Sequence, residues 1–155
     1  MKKIGLLLLI LTFITACGSK KSATTKTASI KKAKNKNYKH KLKDAYTFLI
    51  TEIATDKTYG YTPENAVEVG GASDREGPAN ERRYLNALSG PNGEEVSYFR
   101  AGSCCAVPSE NAMFGDHVLL DNYRVTWEGS KDTVSIYINM YDSSKLKAPV
   151  GFKLR

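Results

Sequence analysis

An apolar run near the amino terminus, placed between lysines and a cysteine, constrains this chain more than any other feature. Lys2 and Lys3 come first, residues 4–11 form an unbroken run without a charge, and Cys17 follows shortly afterwards. This order of charged, apolar and small residues is typical of a secretory signal. The run is too short for a permanent membrane helix, which needs about 20 apolar residues. We therefore expect residues 1–16 to be a signal peptide.

The stretch Ile14-Thr15-Ala16-Cys17 resembles the lipobox of bacterial lipoprotein signal peptides. The resemblance implies that Cys17 receives a diacylglycerol on its sulfur, becomes the mature amino terminus and is acylated there, for example with palmitate. Two acyl chains suffice for stable anchoring to a membrane. Gly18 and Ser19 include no aspartate of the kind associated with inner-membrane retention, so the resemblance favours a periplasm-facing outer membrane if the cell has one. The alternative is an ordinary cleaved signal with an incidental cysteine.

Residues 17–41 are expected to be a disordered tether between the lipidated cysteine and the domain. The segment has no acidic residue and few large apolar ones, so it cannot bury enough surface to fold. From Gly18 onward it contains nine lysines, at positions 20, 21, 26, 31, 32, 34, 36, 39 and 41. Lysines next to a lipid anchor are attracted to anionic headgroups, by about 1 kcal/mol each near the surface. A solvated spacer without a specific partner is the alternative.

The formal charge of +7 hides two opposite parts of the chain. Residues 1–41 carry eleven lysines and no acid, whereas residues 42–155 carry 12 basic and 16 acidic side chains, a formal charge of −4. The folded part is therefore mildly acidic. Nucleic acid, the usual partner of a basic tail, is not expected outside the cytoplasm.

Residues 42–155 have the length of a single domain, and their residue pattern is mainly that of strands. The clearest signal is the alternation of apolar and polar residues in 123–128 and again in 134–141, separated by a turn, which predicts a half-buried antiparallel hairpin. Further strands are predicted at residues 46–53, buried on both faces, at the short edge 67–69, and at the tail 150–154.

The middle of the domain contains many turn residues, and only short elements are predicted there. We expect loops at 55–65 and 72–80, and a hairpin of strands 84–88 and 96–100 around a loop that holds Asn92-Gly93. Residues 101–117 are expected to be irregular, with a single helical turn near 109–113. The predicted fold is mainly β, an antiparallel sheet or small β-sandwich with long loops and little helix.

Cys104 and Cys105 are the residues most able to carry chemistry in the domain. Outside the reducing cytoplasm they are expected to pair with each other or with another chain, or to stay buried as thiols. Adjacent Cα atoms lie closer than disulfides usually require, so a bridge between them would be strained and easy to reduce. His117 would have to lie within hydrogen-bond reach of a cysteine to activate it. No metal site is expected, because these three residues lack a fourth ligand.

Two surfaces are candidates for ligand binding. Glu81, Arg82, Arg83, Arg100 and Asp121 would line a polar pocket for an anionic or sugar-like ligand, or form solvated ion pairs instead. Nine tyrosines and Trp127 suggest stacking on glycans, although aromatic residues in strands usually pack against their neighbours. No cofactor is expected.

Several stretches of the domain together resemble a group of small bacterial envelope lipoproteins of unknown function. They are residues 56–65, 69–71, 81–94, 102–105 and 137–142. In this group the name 2-dehydro-3-deoxyphosphooctonate aldolase occurs, but such aldolases resemble (β/α)₈ barrels of typically about 250 residues. The residues instead favour a membrane-anchored envelope module that acts by binding or as a structural element. The alternative is a thiol-dependent envelope enzyme that uses Cys104 and Cys105.

Overall fold

A computed structural model describes residues 38–155 of the chain. The predicted signal peptide, the lipidation site Cys17 and the tether up to residue 37 lie outside the described residues. The secondary-structure elements, in chain order, are β1 (Leu42–Asp44), β2 (Thr47–Phe48), a 3₁₀ turn (Pro63–Asn65), β3 (Val67–Glu68), α1 (Gly77–Leu85), β4 (Leu88–Ser89), β5 (Val96–Pro108), β6 (His117–Trp127), β7 (Val134–Asn139) and β8 (Lys153–Leu154). The fold is mainly β with long loops and little helix, as predicted.

A four-stranded sheet in the order β3-β7-β6-β5 is the centre of the fold. Strand β6 pairs antiparallel with both β5 and β7, whereas β3 pairs parallel with β7. The predicted hairpin over residues 123–141 is confirmed by the β6–β7 ladder, which pairs Tyr123 with Ile136 and Val125 with Val134. Strand β5 has a partner only in β6 and is therefore an edge of this sheet.

The core lies on one face of the sheet and is completed by α1. Tyr123, Val125, Ile136 and Ile138 of the sheet are buried in one cluster with Tyr84 and Leu85 of the helix. These helix residues, with Gly77 and Glu81, follow the spacing of one helical face. Gly77 allows the start of α1 to pack closely against Met140, because a Cβ at position 77 would lie 2.7 Å from Met140 Sδ.

Helix α1 corrects two sequence predictions, the loop at 72–80 and the strand at 84–88. The buried face of α1 includes the polar residue Glu81, which interrupts the run of apolar residues by which a helix is recognised in a sequence. The predicted hairpin is also wrong, because β4 pairs with β8 and meets the next strand only at an isolated bridge between Ser89 and Glu95.

The predicted strand at 46–53 is reduced to the two residues of β2. Phe48 and Ile50 are buried, but Tyr46, Leu49 and Ile53 are exposed, so the segment is covered on one side only. The short edge strand predicted at 67–69 is present as β3, and β8 lies within the predicted tail strand.

Residues 101–117 are largely extended rather than irregular, because β5 continues to Pro108 and β6 begins at His117. Register shifts between Arg100 and Gly102 and between Cys104 and Ala106 interrupt the alternation of β5. A bulge adds one residue to one strand, which reverses the side-chain phase and conceals the strand in the sequence. The predicted helical turn is a single hydrogen-bonded turn, with Ala112 N–H donating to Ser109 O over 3.4 Å.

Asp142 ties the loop between β5 and β6 to the end of β7. Its carboxylate accepts hydrogen bonds of 2.8 Å from Ser109 Oγ, Asn111 Nδ2 and Asn139 Nδ2. Asp142 is buried, and a buried carboxylate is retained only where donors satisfy its oxygens. This network fixes the far end of the hairpin that carries the two cysteines.

Candidate functional site

The two sulfurs of Cys104 and Cys105 are bonded to each other in β5. The Cα atoms of the pair are 3.7 Å apart, and the peptide between them is trans, since no cis bond occurs in the described residues. Cys105 has a φ of +55°, a left-handed conformation that a residue with a side chain rarely adopts. It is also the residue left unmatched by the register shift, so the disulfide ring and the bulge coincide.

Arg100 lies four residues before the disulfide and is clamped by Asp121 of β6. Its Nε donates to Asp121 Oδ2 over 2.6 Å, and its Nη2 donates to Asp121 Oδ1 over 2.7 Å. Nη2 also donates to Ser103 Oγ over 2.6 Å. The arginine side chain is 46% exposed and the aspartate side chain only 5%. A buried carboxylate therefore holds a half-exposed guanidinium in one orientation.

Glu81 stands behind this pair, fully buried on α1. Its Oε2 accepts a hydrogen bond of 2.9 Å from Tyr123 Oη, whereas Oε1 has no partner among residues 38–155. Burial is the largest cause that raises the pKa of Glu81, the negative charge of Asp121 is the second, and the resulting pKa is about 7. Arg100 and the Tyr123 hydroxyl oppose the shift. Glu81 therefore holds a proton at mildly acidic pH.

Together these side chains form a polar chain from the core to the edge strand. Glu81 and Tyr123 lie at its buried end, Asp121 in the middle, and Arg100 with Ser103 at the exposed end. The exposed end can donate hydrogen bonds to an anionic group. The adjacent disulfide can accept a thiolate at sulfur. Two different chemistries thus lie next to each other on β5.

The structure brings together three of the five residues predicted for the polar pocket, namely Glu81, Arg100 and Asp121. Arg83 points elsewhere and donates to Glu76 Oε2 over 2.6 Å, and Arg82 is exposed on α1. Tyr123 and Ser103 also belong to this group and were not among the residues predicted for the pocket. Side chains alternate along β6, so Tyr123 lies on the same face as Asp121. This alternation is the one feature of the sequence that would have added Tyr123 to the predicted pocket.

Trp127 takes part in packing at the other end of β6. Its ring makes an edge-to-face contact with Phe152 at a centroid distance of 5.4 Å. A Cβ built on Gly90 would lie 2.9 Å from Trp127 Cγ, so the loop backbone also presses against the ring. Trp127 is half-buried, and these contacts occupy much of the aromatic surface that a glycan would need.

His117 is remote from the sulfurs. It begins β6 opposite Pro108, whereas Cys104 is opposite Leu120. Three residues of strand separate the two positions by roughly 10 Å. His117 Nδ1 instead lies 2.5 Å from Asp116 Oδ1. A Cys/His nucleophile pair is therefore not assembled here.

The part of the chain that the structure describes holds neither a metal-ligand cluster nor a membrane-spanning helix. Among residues 38–155, no group of three or more His, Cys, Asp and Glu side chains is arranged to hold a metal ion. Within the same residues, no helix has the length and apolar character needed to cross a membrane. Comparisons with protein-family models, with curated protein sequences and with solved structures give no match for this chain.

Proposed function

We propose that this chain is a lipid-anchored protein of the cell envelope whose folded domain is a binding module. The signal-like residues 1–16 and Cys17 support the anchor, and the lysine-rich stretch after Cys17 supports attraction to anionic lipid. In the folded domain the binding residue is Arg100, with Ser103 beside it. The ligand class is an anionic group, carboxylate or phosphate. The fold lends no support to an aldolase, because its sheet is largely antiparallel and its α-helix spans nine residues.

The observation that carries the binding role is the fixed orientation of an exposed guanidinium. Asp121 holds two of its nitrogens, and Nη1 has no hydrogen-bond partner within residues 38–155. Immobilising a flexible side chain on binding costs about 0.5–1.5 kcal/mol, and here the fold has already met that cost. Gly102, two residues after Arg100 in β5, has open space where a Cβ would lie, so an approaching group meets no side chain there.

The test is an NMR titration of the full chain with inorganic phosphate and with acetate at constant ionic strength. We expect saturable shifts of the Arg100 Nε–H signal and of the Gly102 and Ser103 amides. The shifts should be lost in Arg100→Gln and kept in Arg82→Gln, a matched change at an exposed arginine of α1. Shifts that persist in Arg100→Gln, or that never saturate, would refute the assignment to Arg100.

The anchor is tested separately in cells. Cys17→Ala should move the protein from the membrane fraction to the soluble fraction and remove the mass of the lipid. If the unchanged chain is already soluble and carries no lipid, the envelope anchor is wrong.

Thiol-disulfide exchange is a second candidate function, and the bonded state of Cys104 and Cys105 favours it. A thiolate of a dithiol protein would attack one sulfur and form a mixed disulfide while the other cysteine leaves as a thiolate. The partner's second thiol then displaces the first cysteine. The partner becomes a disulfide, two electrons pass to this chain, and two protons taken from the partner and the solvent leave both cysteines as thiols. Both cysteines are half-buried residues of an edge strand, so an attacking thiolate can approach the pair.

Alkylation before and after mild reduction decides this second function. A single tryptic peptide of residues 101–124 contains both cysteines, so Cys17 does not interfere with the reading. Exchange predicts no label on the native protein and two labels after brief treatment with a dithiol. If the labels appear only after denaturation, the bridge is inert and exchange is excluded.

A further inference from the structure

Exposed apolar side chains are concentrated at the start of the described chain. Of the nine large apolar residues that are exposed within residues 38–155, five lie between positions 38 and 53. They are Tyr38, Leu42, Tyr46, Leu49 and Ile53. Single exposed apolar residues are ordinary, but a group of them in one short segment marks a surface that another body covers.

The local fold turns Tyr46 and Leu49 outward. Strands β1 and β2 form a two-stranded sheet of their own, in which Leu42 is opposite Phe48 and therefore lies on the Phe48 side. Phe48 and Ile50 face the core, so Leu49 between them faces away. Tyr46 lies in the connecting turn, where its N–H donates to Asp44 Oδ1 over 2.8 Å, and it is 77% exposed.

Lysines surround the same segment. Lys39, Lys41 and Lys43 alternate along it, and Lys145 joins them across a cleft of about 260 Å³ whose lining also includes Tyr38 and Leu49. Glu52 is partly neutralised by ion pairs with Lys145 and Lys147. We define the basic-apolar surface as nine side chains of this segment and of the adjoining loop. They are Tyr38, Lys39, Lys41, Lys43, Tyr46, Leu49, Ile53, Lys145 and Lys147.

We propose that the basic-apolar surface lies against an anionic lipid surface, the membrane that carries Cys17. Tyrosine, leucine and lysine side chains together suit the headgroup region, where the rings and apolar chains enter the interface while the ammonium groups reach the phosphates. Each lysine near such a surface contributes about 1 kcal/mol. The lysines of this surface are complementary to anionic lipid, although residues 42–155 as a whole carry a formal charge of −4.

The position of the surface in the chain supports the same occupant. Tyr38 follows Cys17 by 21 residues, and the tether expected from their composition would span roughly 25 Å. A tether this short gives an effective concentration of the order of millimolar, so a weak contact suffices. This inference rests on the proposed lipid anchor. It adds an orientation, in which the β1–β2 hairpin faces the lipid.

Lysine acetylation of the lipidated full chain tests the orientation residue by residue. The protein is placed in detergent, in phosphatidylcholine vesicles, and in vesicles that also contain phosphatidylglycerol, and each lysine is quantified by mass spectrometry. In the anionic vesicles we expect a several-fold loss of acetylation at Lys39, Lys41 and Lys145. Lys131, exposed in the turn between β6 and β7, should react equally in all three conditions. High salt should reverse most of the protection.

Two variants separate the surface from the anchor. Tyr46→Ser with Leu49→Ser should abolish the protection, whereas Phe99→Ser, an exposed apolar residue of β5 outside the surface, should leave it unchanged. Equal reactivity of Lys41 and Lys131 in anionic vesicles would refute the docking while the chain still floats with the vesicles. A chain that does not float at all would refute the anchor instead. Protection that appears in detergent and grows with protein concentration would identify a second copy as the occupant and overturn the proposal.

Discussion

Tyr123 Oη donates a hydrogen bond of 2.9 Å to Glu81 Oε2, and this contact joins the central strand β6 to the buried side of α1. Glu81 is fully buried, and burial is also the main reason why its pKa rises to about 7. A carboxyl whose pKa is higher in the folded than in the unfolded state binds more protons when folded. The protein should therefore lose stability as the pH rises through this range.

Glu81→Gln should remove most of that pH dependence. In the wild type, the free energy of unfolding should fall by about 3 kcal/mol between about pH 4.5 and about pH 7, at about 1.4 kcal/mol per unit of pKa difference, and stay level above. Urea unfolding at about pH 5 and about pH 8 measures the difference. Glu110→Gln, at an exposed glutamate of the β5–β6 loop, should follow the wild type. An equal slope in Glu81→Gln would show that other groups cause it.

Tyr123→Phe should destabilise the fold by about 1–3 kcal/mol, since it removes the hydroxyl donor from a buried carboxyl. It should also raise the pKa of Glu81 further, because the Tyr123 hydrogen bond is one of the interactions that lower it. Carbon-13 NMR of the Glu81 carboxyl measures that pKa directly. A matched change is Tyr46→Phe at the exposed turn, for which we expect no effect on either quantity. A lower pKa of Glu81 in Tyr123→Phe would contradict the assigned role.

Arg100→Gln should cost about 1–3 kcal/mol, because Asp121 is buried and loses two charged hydrogen bonds. Arg155→Gln is the comparison, since Arg155 pairs with Glu95 over 3.0 Å at the surface, where ion pairs contribute little. Its effect should stay within about 0.5 kcal/mol. Denaturation of both variants in parallel is the measurement. If both variants lose a similar amount of unfolding free energy, the Arg100–Asp121 pair contributes no more to stability than a surface ion pair.

Replacing both Cys104 and Cys105 with serine should change the free energy of unfolding by only about 1 kcal/mol. The bridge joins neighbouring residues, so it removes little chain entropy from the unfolded state. Cys104→Ser with Cys105→Gly should be more stable than the double serine variant, by about 1 kcal/mol, because glycine adopts a φ of +55° without cost. A loss of several kcal/mol in both variants would assign the disulfide a major structural role.

The sequence correctly predicted those strands in which buried apolar residues alternate regularly with polar ones. The hairpin of β6 and β7 is of this kind, with Tyr123 and Val125 alternating with polar residues. The prediction of secondary structure failed where a single residue interrupts the repeat of apolar positions. Glu81 interrupts the apolar face of α1, and the bulges near Gly102 and Cys105 reverse the phase of β5.

The candidate site was predicted only in part, because sequence spacing does not show which distant residues become neighbours. Arg100 and Asp121 are 21 positions apart in the chain, and only the β5–β6 register makes them neighbours. Both were predicted for the pocket because their side chains are charged. Tyr123 was assigned to the packing of the hairpin, and its hydroxyl group was not considered. Arg82 and Arg83 adjoin Glu81 in sequence, but a helix points adjacent residues in different directions.

The carboxyl end of the chain lies beside its first strand, because Lys43 Nζ donates to the backbone oxygen of Arg155 over 2.9 Å. A purification handle or fluorescent protein fused after residue 155 would thus emerge beside β1. It would compete for space with whatever lies there. Gly129, whose surroundings leave room for a Cβ, offers an insertion point for an epitope in the turn between β6 and β7. Engineering of reporters should begin at that turn.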